Sequence, residues 1–377
     1  MNREIDILAE KIAAKYDKGA NRAAAQGLIP YAGGGASWQP SPYDGNGWWT
    51  GGFWPGLMWQ LYAYTGREKF RTEALRAEDL LTAEFRSFSA LNHDVGFMYL
   101  LSCDLHNRLC PDAQSEKDVL HAATLLAGRY NPLGFLSAWN GNRPGWAIVD
   151  SMMNLSLLYR ATELTGDPRF GKIAEAHADT CIREFVREDG SCNHIVIFDP
   201  RTGAVLDKPG GQGYAPGSSW SRGQAWGLYG FVISYAYTGE KRYLETALRI
   251  ARYFIAHIRP DGLTDCDFRQ PEDEERIDNI AGAVAACGLL HLSEIPEAGE
   301  ERERFREAAL RLIFAADALC ADWDPEHTGI LTRCTAAYHQ DGAGRHINIV
   351  YGDYFFTEAV MHLKGTDPAP WFPAVRR

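Results

Sequence analysis

The stretch from Gly145 to Tyr159, GWAIVDSMMNLSLLY, decides the fold because it is apolar on nearly every side. It contains one carboxylate, Asp150, and no basic residue. A surface helix shows a single apolar stripe, so this run, entered through Pro144-Gly145, predicts a helix buried on most sides. An acid at the mouth of such a helix is unfavourable unless it is paired, hydrogen-bonded or protonated. Taken alone, the stretch favours an N-cap role for Asp150, with catalysis as the alternative.

The same design recurs along the chain. Three segments, AYTGREKFRTEALR from Ala63, ELTGDPRFGKIAEAHA from Glu163 and AYTGEKRYLETALRIA from Ala236, join an apolar helix to an amphipathic one through Thr-Gly. The glycine can end the first helix, and the charged residues then begin the second. Apolar and amphipathic helices are predicted to alternate near 3–18, 53–65, 68–88, 95–108, 115–128, 149–164, 168–186, 222–238, 240–257, 278–294, 301–320 and 353–363.

This alternation predicts an all-α fold, with six apolar helices inside a ring of six amphipathic ones. That arrangement is an (α/α)6 barrel, or six-hairpin toroid, and the internal repeat supports it. The segments SCNHIVIFDP and GAVLD flank a turn-rich tetrapeptide, so we also expect one small β-hairpin on the surface. No composition change marks a boundary, and residues 1–377 are predicted to form one catalytic domain.

Composition excludes several classes of protein. The formal net charge of −11 argues against nucleic acid and anionic membrane surfaces as partners. The charged N-terminal segment lacks the apolar core of a signal peptide, which favours the cytoplasm. The eight cysteines are scattered without metal-ligand spacing, so free thiols and no zinc site are expected. Eleven tryptophans fit either a large core or platforms for sugar rings.

Four of the six loops that lead into the predicted inner helices bring an aspartate to the start of the helix. These residues are Asp94, Asp150, Asp278 and Asp353. In such a barrel these loops lie together on one face. Capping explains some of the four acids. It does not explain why tryptophans, a His-Asp pair and Arg222 gather at the same end, a combination typical of a pocket for a sugar acid.

Two carboxylates beside one substrate can divide the work of acid and charged partner. Environments that push their pKa values apart leave one protonated and the other ionised. Asp150, with its apolar neighbours, is the better proton donor. Asp94, beside His93 and Gly96, is the better charged partner. Glycoside hydrolysis commonly uses such a pair.

Three further polar residues each allow two interpretations. His194 alternates with apolar residues on its strand, which is typical of a structural histidine, although it is available to a nearby site. Arg222 can hold a substrate carboxylate or stack on Trp220 and Trp226 as packing. Gln212, in a glycine-rich stretch, either reaches into a pocket or is a solvated loop residue.

Six motifs taken together resemble the unsaturated glucuronyl hydrolases of glycoside hydrolase family 88. In order they are WTGGFWPG, NHDVGFMY, VDSMMNL, CNHIVIFDP, SWSRGQAWGLYGF and YGDYFFTEA, and the match runs from about Trp48 to Leu363. The resemblance implies an (α/α)6 barrel that needs no metal or organic cofactor. It also implies a substrate, an oligosaccharide that ends in a Δ4,5-unsaturated uronic acid, and a reaction, hydration of the C4=C5 vinyl ether followed by loss of the glycosidic bond.

The resemblance also assigns roles to residues. Asp150 resembles the general acid/base, and Asp94 the second essential carboxylate. The residues expected to bind substrate are His93, His194, Gln212 and Arg222, with Trp49, Trp139, Trp220 and Trp226 as an aromatic lining.

Two places depart from the family pattern or vary within it. Some relatives carry an aspartate where this chain has Gly51, which we interpret as a difference in a subsite. The segment from Cys334 to Val350 is where relatives differ in handling sulfated sugars, and it offers Arg345 and His346 as sulfate contacts.

Three other functions are weighed. The related unsaturated rhamnogalacturonyl hydrolases of family 105 share the barrel and the chemistry but act on pectin fragments. A sugar epimerase on the same barrel would need paired histidines where this chain has aspartates. A non-catalytic sugar-binding protein would keep the tryptophans without needing both Asp94 and Asp150. The sequence leaves open the sugar after the uronate, its linkage and sulfation, and the oligomeric state.

Overall fold

The computed structural model describes residues 2–43, 45–88 and 91–374. The described chain is largely helical, and none of its helices is long and apolar enough to cross a membrane. The helices are α1 (Asn2–Gln26), α2 (Phe53–Thr65), α3 (Glu68–Thr82), α4 (Val95–Tyr99), α5 (Leu105–Leu109), α6 (Ala113–Ala127), α7 (Ser151–Thr165), α8 (Pro168–Glu184), α9 (Ser221–Thr238), α10 (Lys241–Ala256), α11 (Asn279–Glu294), α12 (Arg302–Cys320) and α13 (Val350–Lys364).

Six helices form a closed inner ring. Around the ring α2, α4, α7, α9, α11 and α13 contact one another in that order, α13 returns to α2, and α2 meets α4 through the π-helical turn that follows it. Each inner helix has an outer partner: α3 packs on α2, α6 on α4, α8 on α7, α10 on α9, α12 on α11, and α1 on α13. The predicted (α/α)6 barrel is therefore confirmed.

Burial follows the predicted alternation. Inner helix α9 is buried without interruption from Ser221 to Ser234, whereas outer helix α10 buries one stripe of residues. A helix that is apolar all round is stable only inside, and the one-sided helices supply its cover. The three Thr-Gly segments also fold as predicted: Gly66, Gly166 and Gly239 end inner helices in the left-handed conformation that favours glycine.

The strands are short and lie in the connections. They are β1 (Ala32–Gly33), β2 (Tyr130–Asn131), β3 (Phe135–Leu136), β4 (Trp146–Ile148), β5 (Ile195–Phe198), β6 (Val205–Asp207) and β7 (Asn348–Ile349). The predicted hairpin is confirmed as β5 and β6, which pair antiparallel. The prediction missed β4, which pairs with the other edge of β5.

Several predicted helix limits are wrong. The helix predicted over 68–88 ends at Thr82 and is followed by a 3-10 turn, Ala83–Arg86. The central helix begins at Ser151, because the apolar residues just before it form β4 and a short apolar run does not distinguish strand from helix. The predicted helix over 95–108 is divided by a π-helical turn, Leu100–Asp104. The first helix continues through Gln26 instead of ending at residue 18.

The contact between α4 and α7 depends on Gly96. A Cβ atom at this position would lie 2.6 Å from the Cα of Asn154 on α7. We therefore expect Gly96→Ala to lower the free energy of unfolding by about 2 kcal/mol, because backbone must move to admit the methyl group. Denaturant unfolding measures the change. Gly128→Ala is the control, since its added Cβ would meet nothing closer than 3.4 Å. An equal loss of stability in both variants would contradict this explanation.

Candidate active site

A cavity of about 540 Å³ opens at the end of the barrel where the inner helices begin. Its wall contains residues that immediately precede or begin α2, α4, α7 and α13, so the predicted gathering of these loops on one face is observed. Six of the predicted site residues lie on this wall: Trp49, Asp94, Trp139, Asp150, His194 and Gln212.

Asp150 lies at the N-terminus of α7 and is 8% exposed, but its side chain makes no capping hydrogen bond to the helix. The capping role that the sequence favoured is therefore wrong. Its Oδ2 atom lies 3.6 Å from Nε2 of His194. Burial raises the pKa of Asp150 to about 7, although the positive charge of Arg222 acts to lower it. Asp150 is thus a carboxyl group that exchanges its proton near neutral pH.

Asp94 precedes α4 in the same way, without a capping bond, and is 7% exposed. Its Oδ1 atom lies 3.3 Å from both Nε2 of His93 and Nδ2 of Asn154. Burial, and then the negative charge of Asp150, raise the pKa of Asp94 to about 8, against the lowering effects of the Asn154 hydrogen bond and Arg129.

Burial raises the pKa of both carboxyls, so the expected division, with Asp150 as the proton donor and Asp94 as the charged partner, stays a prediction. The sequence suggested it because the residues around Asp94 are less apolar than those around Asp150. In the fold both carboxyls are equally buried, and Asp150 itself disfavours a second negative charge. The pair therefore keeps at least one proton at neutral pH.

Asn154 links the two acids. Its Nδ2 group donates to Oδ1 of Asp94 and, at 3.4 Å, to the backbone oxygen of Asp150, while its Oδ1 accepts from the N–H of Phe97. Asn154 is not among the predicted site residues. The signal was present, because positions four apart on a helix share a face, and Asn154 lies four residues after Asp150.

His194 is held as a neutral ring beside Asp150. Its Nδ1 atom accepts the backbone N–H of Gln212 at 2.9 Å, which favours a proton on Nε2, the nitrogen 3.6 Å from Oδ2 of Asp150. Burial lowers the pKa of His194 to about 3. The ring packs against Trp220 with centroids 4.4 Å apart. Gln212 is also fixed, since its Nε2 donates to the oxygen of Ala336.

Four predicted contact residues lie behind the cavity wall and are almost completely buried: His93, Trp220, Arg222 and Trp226. The expectation that they touch substrate directly is not met by this geometry. Trp226 packs in the core between Phe97 and Phe355. His93 lies behind Asp94.

The guanidinium of Arg222 is held by contacts inside the protein. It pairs with Asp278 and donates to the backbone oxygens of Thr335 and Ala336. Its carbon Cζ lies 4.6 Å from the centre of the Trp220 ring, so the stacking alternative is observed, although in the interior. The positive charge still reaches the cavity, because it lowers the pKa of Asp150.

The remaining predicted positions have structural contacts of their own. His346 accepts the N–H of Ile277, and Arg345 donates to the oxygen of Glu275. From the same segment, Ala336, Ala337 and Gln340 line the cavity instead. Gly51 is buried away from the cavity, and a Cβ there would lie 2.9 Å from the oxygen of Asn46. Gly51 therefore has a packing role here, and the subsite interpretation stays a prediction.

Two buried carboxyls in an aromatic-lined cavity at one end of an (α/α)6 barrel are typical of a glycosidase. The chain belongs to the unsaturated glucuronyl hydrolases. It is 37% identical over 337 residues to the unsaturated glucuronyl hydrolase of Bacillus sp. (strain GL1), covering 86% of this chain and 88% of that protein. It is 31% identical to the unsaturated chondroitin disaccharide hydrolase of Streptococcus pyogenes serotype M1, with 84% and 81% covered.

Solved structures agree over the whole chain. The unsaturated glucuronyl hydrolase from Bacillus sp. GL1 superposes with a TM-score of 0.90 at 34% identity and 100% coverage of both chains. A variant of such an enzyme with dGlcA-Glc-Rha-Glc gives a TM-score of 0.91 at 33% identity, again with 100% coverage of both. No family model matches the chain.

Proposed function

We propose that the protein, as a single catalytic domain, removes the terminal Δ4,5-unsaturated glucuronic acid residue from lyase-generated oligosaccharides of the glycosaminoglycan type by hydrating its C4=C5 bond. The observation that carries this proposal is the pair Asp94 and Asp150, two buried carboxyls with raised pKa values on one cavity wall. A vinyl ether needs a strong proton donor at C4 and a negative charge near the cation that forms at C5, and a carboxyl that exchanges its proton supplies both.

The reaction we propose uses Asp150 twice. Its carboxyl group donates a proton to C4, and the C4=C5 electrons form the new C–H bond, which leaves an oxocarbenium ion at C5. Water then adds to C5 and returns one proton to the Asp150 carboxylate. The C5 hemiketal opens by breaking its bond to the ring oxygen, and the hemiacetal left at C1 releases the second sugar. The sum is one water consumed and the Asp150 proton restored.

Asp94 supports this cycle by staying neutral. When Asp150 gives up its proton, a charged neighbour would oppose the new carboxylate, whereas a protonated one does not. The N–H of His194 and the charge of Arg222 favour the ionised form of Asp150 at that moment. Trp49, Trp139 and Gln212 are the proposed contacts of the sugar rings on the wall.

The pKa values predict how activity depends on pH. Asp150 must be protonated to act as the acid, so kcat/KM should be highest below about pH 7 and fall as pH rises through the pKa of Asp150. The decline should approach about tenfold per pH unit. Initial rates at low substrate concentration between pH 5 and 9 measure this profile, and activity that rises through this range would contradict the assignment.

The substrate class is tested by ultraviolet absorbance. The conjugated C=C–COO⁻ group absorbs and hydration removes it, so purified enzyme should bleach unsaturated disaccharides made by lyases from chondroitin and hyaluronan. A disaccharide made from rhamnogalacturonan is the comparison substrate. Bleaching of that compound alone would transfer the protein to the pectin-directed group, and no bleaching of any substrate would overturn the proposed reaction.

We propose a cytoplasmic location for the enzyme. The support is that all eight cysteines are free thiols, of which only Cys110 is partly exposed. Chains that work in oxidising compartments commonly use cysteines as disulfides. Fractionation of the source cells with an antibody against the chain tests this location, and recovery in the medium would contradict it.

A further inference from the structure

His93 is a buried histidine in contact with the acid pair but not with the cavity. Its side chain is fully buried, and its backbone N–H donates to the oxygen of Ala138. One ring nitrogen, Nδ1, lies 3.2 Å from Oγ of Ser151, and the other, Nε2, lies 3.3 Å from Oδ1 of Asp94. The ring therefore connects the first residue of α7 to the catalytic carboxyl that precedes α4.

Ser151 fixes the tautomer of this ring. Its hydroxyl lies 2.7 Å from the backbone oxygen of Ile148, and because a carbonyl only accepts, the hydroxyl proton is used there. The Oγ atom is then left as an acceptor toward His93, so Nδ1 must carry the ring proton. The neutral ring consequently presents a bare Nε2 lone pair to Asp94.

A bare nitrogen lone pair and a carboxylate oxygen repel each other at 3.3 Å unless a proton lies between them. Burial lowers the pKa of His93 well below its usual range, so the imidazolium form does not supply that proton. Nε2 of His93 has no hydrogen-bond partner among the described groups, and a proton on Asp94, 3.3 Å away, is the one that can satisfy it.

His194 has the opposite tautomer. Its Nδ1 accepts the N–H of Gln212, which favours a proton on Nε2, the nitrogen that faces Asp150. One histidine thus offers an acceptor to Asp94, while the other offers a donor to Asp150. The two rings favour a neutral Asp94 and an ionised Asp150.

We propose that His93 is a positioning residue that holds a proton on Asp94 and so leaves Asp150 as the group that gains and loses its proton during turnover. The effect on catalysis rests on the proposed function, whereas the tautomer of His93 does not depend on it. His93 is argued to act only through Asp94, since its buried ring does not reach the cavity.

Other charged and titratable groups face this unit from every packed element. Arg129 follows α6 and acts on both His93 and Asp94. His177 on α8 and His194, which immediately precedes β5, act on His93, and Asp150 acts on Asp94. Arg129 favours an ionised Asp94, so the acceptor nitrogen of His93 works against this cation. Loss of that acceptor should allow Asp94 to ionise at lower pH.

Nitrogen-15 NMR of histidine-labelled enzyme tests the tautomers directly. At pH 7 we expect His93 protonated on Nδ1 and His194 protonated on Nε2, with signals assigned by their loss in His93→Asn and His194→Asn. An Nε2–H tautomer or an imidazolium at His93 would overturn the proposal. This measurement needs no substrate, so it tests the tautomer of His93 even if the proposed function is wrong.

The pH profile of kcat/KM tests the consequence. His93→Asn keeps a donor to Ser151 but removes the acceptor, and Ser151→Ala frees the ring to place its proton on Nε2. In both, Asp94 should ionise earlier, and its charge should move the alkaline limb, set by Asp150, upward by about half a pH unit or more. His177→Asn is the control, a buried histidine that accepts from Leu136 and touches neither acid. His177→Asn should lower the melting temperature and leave the alkaline limb of the kcat/KM profile at the wild-type pH.

An unmoved limb in both His93→Asn and Ser151→Ala would overturn the positioning role, and so would a shift of equal size in His177→Asn. Absence of turnover by the wild-type enzyme on every unsaturated disaccharide would instead refute the proposed function. The NMR result would then stand as a statement about the proton on Asp94.

Discussion

Asp150→Asn should lower kcat/KM for an unsaturated disaccharide by about a thousandfold, the largest effect that a single substitution in this cavity is expected to have. The amide cannot donate a proton to C4 and cannot accept one from water, so both halves of the proposed cycle are lost. The loss of ultraviolet absorbance measures the rate. Asp265→Asn, at a carboxylate paired with Arg259 outside the cavity, is the matched control and should keep full activity.

Asp150→Asn should lower activity without lowering the stability of the fold. The folded state raises the pKa of Asp150, so ionising this group opposes folding, and its destabilising effect develops as pH rises toward about 7. An asparagine does not ionise, and the melting temperature of Asp150→Asn at pH 8 should therefore equal or exceed that of the wild type. An inactive variant that also melts at a lower temperature would point to damage to the fold instead of loss of an acid.

Asp353→Ala should lower the free energy of unfolding by about 4 kcal/mol or more, because several buried donors would lose their acceptor at once. The carboxylate accepts from the hydroxyl of Tyr16 at 2.6 Å, from Nδ2 of Asn348, and from the backbone N–H groups of Ile330 and Leu331. It thus joins α1, α13 and the connection between α12 and β7. Denaturant unfolding measures the loss.

The exposed Asp207→Ala on β6 is the control, with an expected change within about 0.5 kcal/mol. Asp353→Asn should also be destabilising, since the amide group would place a donor among donors. Wild-type stability in Asp353→Ala would contradict the view that this aspartate, which begins an inner helix as Asp150 does, has only a structural role.

The fold was predictable because its signals are local. Apolar and amphipathic helices alternate, and the glycines at positions 66, 166 and 239 mark where inner helices end. The strand β4 was not predictable, because a short apolar run becomes a strand only when β5 lies beside it. Its pairing depends on residues about fifty positions away, which a local pattern does not contain.

The loops that form the site could be predicted from the sequence, but the role of each aspartate in them could not. Asp94, Asp150, Asp278 and Asp353 have similar positions in the sequence, yet Asp278 pairs with Arg222 and Asp353 is surrounded by donors. Only Asp94 and Asp150 of these four line the cavity. Which carboxyl keeps its proton depends on neighbours such as His93 and Asn154, whose distances are set by the packing of α4 on α7.

The central claim, protonation of C4 by Asp150, is tested most directly by running the reaction in D₂O and examining C4 of the released uronate by proton NMR at early times. An enzyme group that delivers the proton from one side should place a single deuterium in one of the two C4 positions. In Asp150→Asn the same product should not form. Equal labelling of both positions by the wild-type enzyme, or unchanged product formation by the variant, would contradict the claim.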